Sequence, residues 1–388
     1  MENPTQQRKV LITTDLYTTQ TNGVVTSVQN LYDALTADGY DVRILTLSDN
    51  LHTHKEGHVY YIRSLPMGVV YPDVRMPVSF HSSLIRELID WKPDVIHSQC
   101  EFFSFQFASH ISKATGAPIV HTYHTLYEQY VTYVVPSRRL GKLLVRLLSR
   151  QRLKKVKIVI APTAKVESAL VNYGLRNPIS VVPSGIRLEQ HRHRLTPEQR
   201  SEKRRALGID DNAQVLLNLG RLGTEKNLGE LMDLFAEAKK ENPGLIFLIV
   251  GDGPARAGLE EQARRLGVAD SVIFTGMVSP DTVQEYYQLA DVFASASTSE
   301  TQGLTYVEAA ANGLPLVCRR DDCLQGVIVE GENGFEYTTD REFLEAILTV
   351  MADRPWREEA CRRSQEIAAS FGKRAFGEAV ESVYESVL

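Results

Sequence analysis

The sequence predicts an α/β protein of two Rossmann-like domains, each a doubly wound parallel sheet. Three observations carry this. The chain has 388 residues, a length that usually divides into two domains with their own cores. Short β-rich runs alternate with helix-length segments, the pattern of a parallel sheet covered on both faces. The alternation then restarts near residue 185.

Taken in order, KVLITTD (9–15) is the first strand, broken by TNG (21–23). Val25, Val28, Leu31 and Leu35 follow at helical spacing, and DVRILTLS (41–48) is the next strand. DVIHSQ (94–99), PIVHTYH (118–124), KIVIAPT (157–163) and ISVVPSG (179–185) continue the series, with helical stretches such as FSFQFASHISKATG between them. A polar stretch from Arg187 to Asn212 separates this set from a second one. The second comprises QVLLNLGR (214–221), GLIFLIVGDGP (244–254), SVIFTGMV (271–278), DVFASAS (291–297) and PLVCRR (315–320). The expected domains are residues 1–184 and 185–371. A last helix over 372–388, with Phe376, Val380, Val383 and Val387 on one stripe, is expected to pack back on the first domain. Ligands of such sheets bind beyond the carboxyl ends of the strands, so two facing sheets would share a central cleft.

Composition excludes several classes. Hydrophobic residues make up 43% and charged residues 23%, ordinary values for a soluble globular chain. No stretch approaches the roughly 20 apolar residues that span a bilayer, and MENPTQQRKV lacks the apolar core of a secretion signal. Cys100, Cys318, Cys323 and Cys361 show no CxxC spacing, which fits reduced thiols and a cytoplasmic location. No metal is expected: the one suggestive spacing, His52, His54 and His58, reads as a polar loop. The net charge of -5 hides an asymmetry. Residues 1–184 hold 20 Lys+Arg against 14 Asp+Glu, and residues 185–388 hold 23 against 34. The first half favours an anionic surface and the second does not.

The most informative segment is SETQGLTYVEAAANGLP, in which Glu300 and Glu308 bracket seven residues after a strand. A helix starting near Leu304 would turn its first amides, including those of Gly303 and Leu304, toward Glu300, where they could meet a phosphate or sugar hydroxyls. Glu308, about a turn further, could accept hydrogen bonds from a diol such as a ribose. In GRLGTEKN (220–227), Arg221 and Lys226 fall between strand end and helix start, where a diphosphate would lie. Two solvated acids and two solvated loop cations are the plain alternatives. Gly251 and Gly253 of GDGP read as architecture, since neither a P-loop nor G-x-G-x-x-G occurs there. Gly23 brings bare backbone to the end of the first strand. His124 ends HTYH at a strand's carboxyl end, where a ligand-facing and a structural role both remain open.

In order, NGV (22–24), YHT (123–125), PSGI (183–186), GRLGTEK (220–226), GDGP (251–254) and E-x7-E (300–308) resemble the retaining family-four glycosyltransferases of GT-B fold, over nearly the whole chain. The resemblance implies that Glu300 meets the donor sugar's hydroxyls and Glu308 the nucleotide ribose. It implies further that Arg221 and Lys226 bind the diphosphate and that His124 lies toward the sugar's 6-hydroxyl. Backbone around Val278 would meet the base, Gly23 and Val24 would line the substrate, and Tyr127 and Glu128 would fall on the acceptor side. DVIHSQCEF, HTYHTLYEQYVTYV, APTAKVESAL and SETQGLTYVEA resemble more narrowly the bacterial 1,2-diacylglycerol 3-glucosyltransferases, the glycolipid synthases. The chain departs from that subgroup at Tyr127-Glu128-Gln129-Tyr130, where YEDY is usual, at Pro183-Ser184-Gly185-Ile186, where PTGI or PNGI is usual, and at RRDDCLQG (319–326).

A separate observation points to a membrane. No acidic residue lies between Glu128 and Glu167, while ten Lys/Arg run from Arg138 to Lys165. Leu140, Leu143, Leu144, Leu147 and Leu148 form one stripe, with Arg139, Lys142, Arg146 and Arg150 off it, and Arg138 joins these residues as an expected membrane contact. Such a basic amphipathic helix, near 138–157, can lie in an anionic bilayer interface. A core-facing helix with a solvated basic face is the alternative. Nucleic acid is not expected, because no base-stacking aromatics are interleaved.

The sequence therefore predicts a retaining hexosyltransferase that moves glucose from UDP-glucose to a lipid hydroxyl, that of diacylglycerol, giving a monoglycosyl-diacylglycerol. It would work at the inner face of the cell membrane, with no cofactor beyond the nucleotide-sugar donor. A soluble or polysaccharide acceptor, or a nucleotide-sugar epimerase of the same fold, are the alternatives.

Overall fold

The structure, a computed structural model, describes residues 7–17, 22–67, 75–129 and 137–388. It divides into two compact units: residues 1–185 with 373–388, and residues 186–372.

In the first unit β1 (Lys9–Thr13) leads to α1 (Gly23–Ala37) and β2 (Asp41–Leu47). Then come β3 (His54–Glu56), β4 (Val59–Ile62), β5 (Ser64–Pro66), β6 (Arg75–Pro77), α2 (Ser83–Trp91), β7 (Val95–Ser98), α3 (Phe103–Thr115) and β8 (Ile119–Thr122). A short 3-10 turn, Tyr127–Gln129, precedes α4 (Arg138–Leu153), β9 (Ile158–Ala161), α5 (Ala164–Asn172) and β10 (Ile179–Val181). The sheet runs β10-β9-β8-β7-β1-β2-β4-β3, parallel except for the antiparallel pair β3–β4, and β5 pairs with β6 separately. Two apolar layers cover its faces, one holding Leu11, Ile96 and Phe105, the other Ile12, Val28 and Val120.

The second unit opens with α6 (Leu188–Arg192) and α7 (Pro197–Ala206). The polar stretch expected as a separator is thus helical and belongs to this unit. It is anchored by the buried Arg204, whose guanidinium donates to the carbonyls of Leu289, Asp211 and Ala213. Local polarity concealed this, because the burial serves the aliphatic stem and fixed carbonyls. There follow β11 (Gln214–Leu219), α8 (Leu228–Glu241), β12 (Leu245–Val250), α9 (Arg256–Arg265), β13 (Val272–Phe274), α10 (Val283–Tyr287) and β14 (Val292–Ser295). The unit closes with α11 (Leu304–Ala311), β15 (Leu316–Arg319), β16 (Gly334–Tyr337), α12 (Asp340–Ala352) and α13 (Arg354–Ala369). Its sheet is wholly parallel, β13-β12-β11-β14-β15-β16. Both sheets share one logic: the first strand is central and the order reverses beside it, between β1 and β7 and between β11 and β14. Those are the switch points where open α/β sheets hold ligands.

The last helix, α14 (Lys373–Glu385), returns to the first unit and packs on α1. Phe376, Val380 and Val383 are buried, and Tyr384 reaches the core, its hydroxyl 2.7 Å from His97 Nδ1. TNG does more than break a strand. Asn22 caps α1 by accepting from the Val25 N–H at 3.0 Å, which puts Gly23 and Val24 in the helix's first turn; Thr21 lies outside the described residues.

Candidate functional site

At the switch point of the second sheet, the loop after β11 lies back to back with the loop after β12. Leu222 N–H donates to Asp252 O and Ala255 N–H to Leu222 O, each at 2.9 Å. A Cβ on Gly251 would sit 2.0 Å from Gly220 O, and one on Gly253 2.5 Å from Leu222 O. The glycines of GDGP therefore let two backbones touch and fix the loop that carries Arg221. The Arg221 guanidinium, half exposed, pairs with the Glu225 carboxylate. Lys226 ends a 3-10 turn, and its Nζ lies 2.6 Å from Glu300 Oε1, with both side chains largely buried. Ser297 Oγ approaches the same oxygen at 3.4 Å.

Glu300 sits on the loop leaving β14, just ahead of α11. Gly303 stands at that helix's N-cap with φ +74°, and a Cβ there would strike the Tyr306 ring at 2.4 Å. Its side chain must be absent for the chain to turn from Glu300 into Leu304. Glu308, on α11, accepts from the Tyr287 hydroxyl at 2.8 Å. Burial pushes its carboxyl up to about 7, against the pull of that hydrogen bond. Val278 follows β13 beyond a backbone tie, Gly251 N–H to Gly276 O at 3.0 Å. One unit thus brings together Arg221, Lys226, Glu300, Gly303, Leu304 and Glu308 on the loops and helix at the carboxyl ends of β11 and β14.

In the first unit the corresponding edge carries a buried polar network. His124 Nε2 lies 2.7 Å from Gln99 Oε1, just beyond β8. Burial, helped by His121, pushes the His124 imidazole down to about 3, so it is neutral at pH 7. Glu101 links two neighbours, with His121 Nε2 at 3.2 Å and the donating Tyr127 hydroxyl at 2.6 Å. Asp15, after β1, accepts from Ser104 N–H at 2.7 Å, and burial lifts it to about 6.

Glu128 pairs with Lys142 at 3.3 Å. The two, with Arg139, Leu143, Arg146 and Tyr173, line a hollow of about 490 Å³ between α4 and α5. Arg146 also donates to Asn172 O at 2.5 Å, and Arg150 lies against Gly174. The side chain of Arg138, like Tyr130, falls outside the described residues. The leucine stripe is not a core face: Leu140, Leu143, Leu144, Leu147 and Leu148 are 41–56% exposed. The helix ends at Leu153 rather than near 157.

Sequence reading did not single out Glu225, Tyr287, Gln99 or Glu101, each of which holds a residue it did. Glu225 and Glu101 lie inside the motifs it quoted, whereas Tyr287, on an unremarkable polar helix, left no signal. The three histidine rings of the suggestive spacing turn to different partners, that of His52 to Asn50 Oδ1 at 3.3 Å. His54 stacks on Tyr61 and His58 on Tyr32. Among the described residues no group of His, Cys, Asp and Glu is placed to hold a metal, and no helix is long and apolar enough to cross a membrane.

Residues 21–190 match the family model "Glycosyltransferase Family 4" and residues 199–369 match "Glycosyl transferases group 1". An alpha-monoglucosyldiacylglycerol synthase of Streptococcus pneumoniae is 35% identical, over 93% of this chain and 83% of the relative. The chain is a GT-B glycosyltransferase of family 4. A second alpha-monoglucosyldiacylglycerol synthase, from Acholeplasma laidlawii, is 29% identical to this glycosyltransferase, over 97% of this chain and 96% of the relative. The fold of Anabaena HepE in complex with UDP and glucose superposes at a TM-score of 0.77, covering 98% of the glycosyltransferase and 100% of that chain, at 19% identity. The same protein with UDP-glucose gives 0.76 at 20% identity, covering 97% and 99%.

Proposed function

We propose that this glycosyltransferase moves glucose from UDP-glucose, with retention, to the 3-hydroxyl of diacylglycerol at a membrane surface. The observation that carries the lipid acceptor is the solvent-facing leucine stripe of α4 with its flanking cations. An exposed apolar stripe flanked by cations has the make-up of a helix that lies in an anionic bilayer interface. The names of the two relatives support the acceptor, and the UDP and UDP-glucose complexes of a similarly folded protein support the donor. The exposed leucines would enter the interface while Arg139, Lys142, Arg146 and Arg150 meet an anionic leaflet, each contributing on the order of 1 kcal/mol. Arg138 would join them. Binding is then reversible and peripheral, at the inner face of the cell membrane.

In the second unit the donor's ribose would be held by Glu308 and its base by backbone near Val278, with Glu300 meeting the sugar. Arg221 and Lys226 would turn from Glu225 and Glu300 to the diphosphate, and the first amides of α11 would add to them. In the first unit Gly23 and Val24 would line the substrate, and Tyr127 and Glu128 would face the acceptor. His124 would meet the sugar as a neutral imidazole. The leaving diphosphate would take the acceptor's proton as its bond to the anomeric carbon lengthens, so that no carboxylate need attack. The protein's share is orientation and stabilisation of charge on the leaving group. With two cations in that role, we propose that transfer requires no metal; turnover unchanged by a chelator is the expected result.

The test is transfer of label from UDP-glucose in the presence of vesicles. An α-glucosyl lipid in the chloroform phase is expected. Label in a water-soluble glucoside would point to another acceptor, free epimerised nucleotide sugar to an epimerase, and a β-linked product would overturn retention.

A further inference from the structure

Two helices of the second unit, α10 and α11, end at one hollow, and an arginine on its wall holds the end of a third. Arg200 Nε donates to Gln288 O just past α10 at 2.9 Å, and Arg194 Nη1 to Asn312 O at the end of α11 at 2.7 Å. Arg357 Nη1 donates to Val350 O in α12 at 2.7 Å. The three guanidinium groups line a cavity of about 290 Å³, whose wall also includes Asp291 and Cys361. Asp291 is the one carboxylate on that wall among the described residues, and it is engaged elsewhere. It accepts from Val215 N–H at 2.8 Å and pairs with Arg204 at 3.4 Å.

Each guanidinium carries five N–H donors, and the carbonyls occupy one or two nitrogens of each. A helix C-terminus contributes at most roughly half a negative charge, so three of them do not balance three arginines. The wall is left with surplus positive charge and unspent donors, in a half of the chain that holds 23 Lys+Arg against 34 Asp+Glu. We propose that this hollow is a binding site for a compact phosphate-bearing small molecule, separate from the donor site.

The hollow is wired to that site. Tyr287 lines it and donates through its hydroxyl to Glu308 Oε2 at 2.8 Å. Asn312 lines it too, and its Nδ2 donates to Glu308 O at 2.9 Å. An occupant that reorients Tyr287 changes how the Glu308 carboxylate is held and hence the donor's affinity, while the Asn312 contact reaches only the main-chain carbonyl of Glu308. This second half rests on the proposal that Glu308 binds the nucleotide ribose; the binding site itself does not.

Cys361 supplies a readout independent of turnover. With the full chain and the donor site saturated by UDP, iodoacetamide labelling of Cys361 is followed by peptide mass spectrometry, with an added cysteine-containing peptide as the internal reference. Inorganic phosphate, diphosphate and glucose 6-phosphate are the probes. A bound probe slows Cys361 labelling about tenfold at ten times its dissociation constant, as occupancy of one site requires. Arg194→Gln loses the protection and Arg194→Lys keeps part of it, with thermal midpoints measured for both. The ranking of probes tells free phosphate from a sugar phosphate as the ligand. Absence of protection by all three at millimolar concentration, or protection unchanged in Arg194→Gln, overturns the site. A KM for UDP-glucose that a protecting probe shifts in the wild type but not in Arg194→Gln is the expected sign of wiring; an unshifted KM overturns the wiring. Failure of the donor assignment would show separately, as normal turnover in Lys226→Ala.

Discussion

At the carboxyl edge of the first sheet, most ionisable side chains are buried and pushed toward their neutral forms, while at the same edge of the second most are paired as ions, the buried Glu308 excepted. Burial drives the His97 imidazole well down and His124 to about 3, lifts Asp15 to about 6 and raises Tyr123 and Cys100. Across the switch point of the second sheet stands Lys226 with Glu300, and beside it Arg221 with Glu225 in one loop and Arg319, at the end of β15, with Glu230. Both sheets reverse order beside their first strand, so the difference at that point lies in the loops. A buried edge whose groups are mostly pushed toward neutrality suits a neutral hydroxyl, since keeping isolated charges there would cost several kcal/mol. Cations already held by exchangeable carboxylates suit a ligand that brings two phosphates.

The sharpest way to break this comparison is at Lys226 and Glu300. Lys226→Ala or Glu300→Ala is expected to cut kcat with UDP-glucose at least about a hundredfold, measured on purified protein with vesicles. Near-normal turnover in both variants would refute the assignment of the charged edge to the donor.

On the first unit, Leu144→Ser with Leu147→Ser is expected to weaken sedimentation with anionic vesicles about tenfold or more per leucine, since burying a leucine is worth about 1.5–3 kcal/mol. The fold should be unaffected, because both side chains face solvent. Vesicle binding insensitive to these changes, and to salt, would remove the membrane role of α4.

Glu308, the buried carboxyl of the second edge, probes the contrast where it is weakest. With its carboxyl raised to about 7, it is mostly protonated at pH 6 and mostly ionised at pH 8. An ionised carboxylate accepts from both ribose hydroxyls. The dissociation constant of uridine, which has no phosphate to titrate, should therefore rise as pH falls below 7, by up to about tenfold per unit. Glu308→Gln should flatten the profile. The same raised value means that this group favours the folded state below its unfolded pKa, near 4.5, and loses that contribution as pH rises through 7.

The smallest expected effect belongs to the first unit's core. Tyr384→Phe removes the hydrogen bond to His97 and leaves a buried ring nitrogen without it, which costs about 1–3 kcal/mol, read as a lowered denaturation midpoint with UDP affinity unchanged.

Much of this protein was legible in residue order alone. Strand–helix alternation gave both doubly wound sheets, and the stripe at Phe376, Val380 and Val383 gave the face that α14 buries. Arg221, Lys226, Glu300 and Glu308 could be named because strand ends and helix starts are local events, marked by glycines and apolar runs. Other features were decided only when the chain closed on itself. Lys226 meets Glu300 across 74 residues, and Tyr287 meets Glu308 from a helix with no motif. Glu101, after β7, joins His121 in β8 and Tyr127 in the 3-10 turn beyond it. Whether the leucines of α4 faced a core or solvent was also undecided, since periodicity reports that a helix has two faces and not which neighbour covers them. Pairing, desolvation and exposure are properties of what lies nearby in space, and only the tertiary structure sets them.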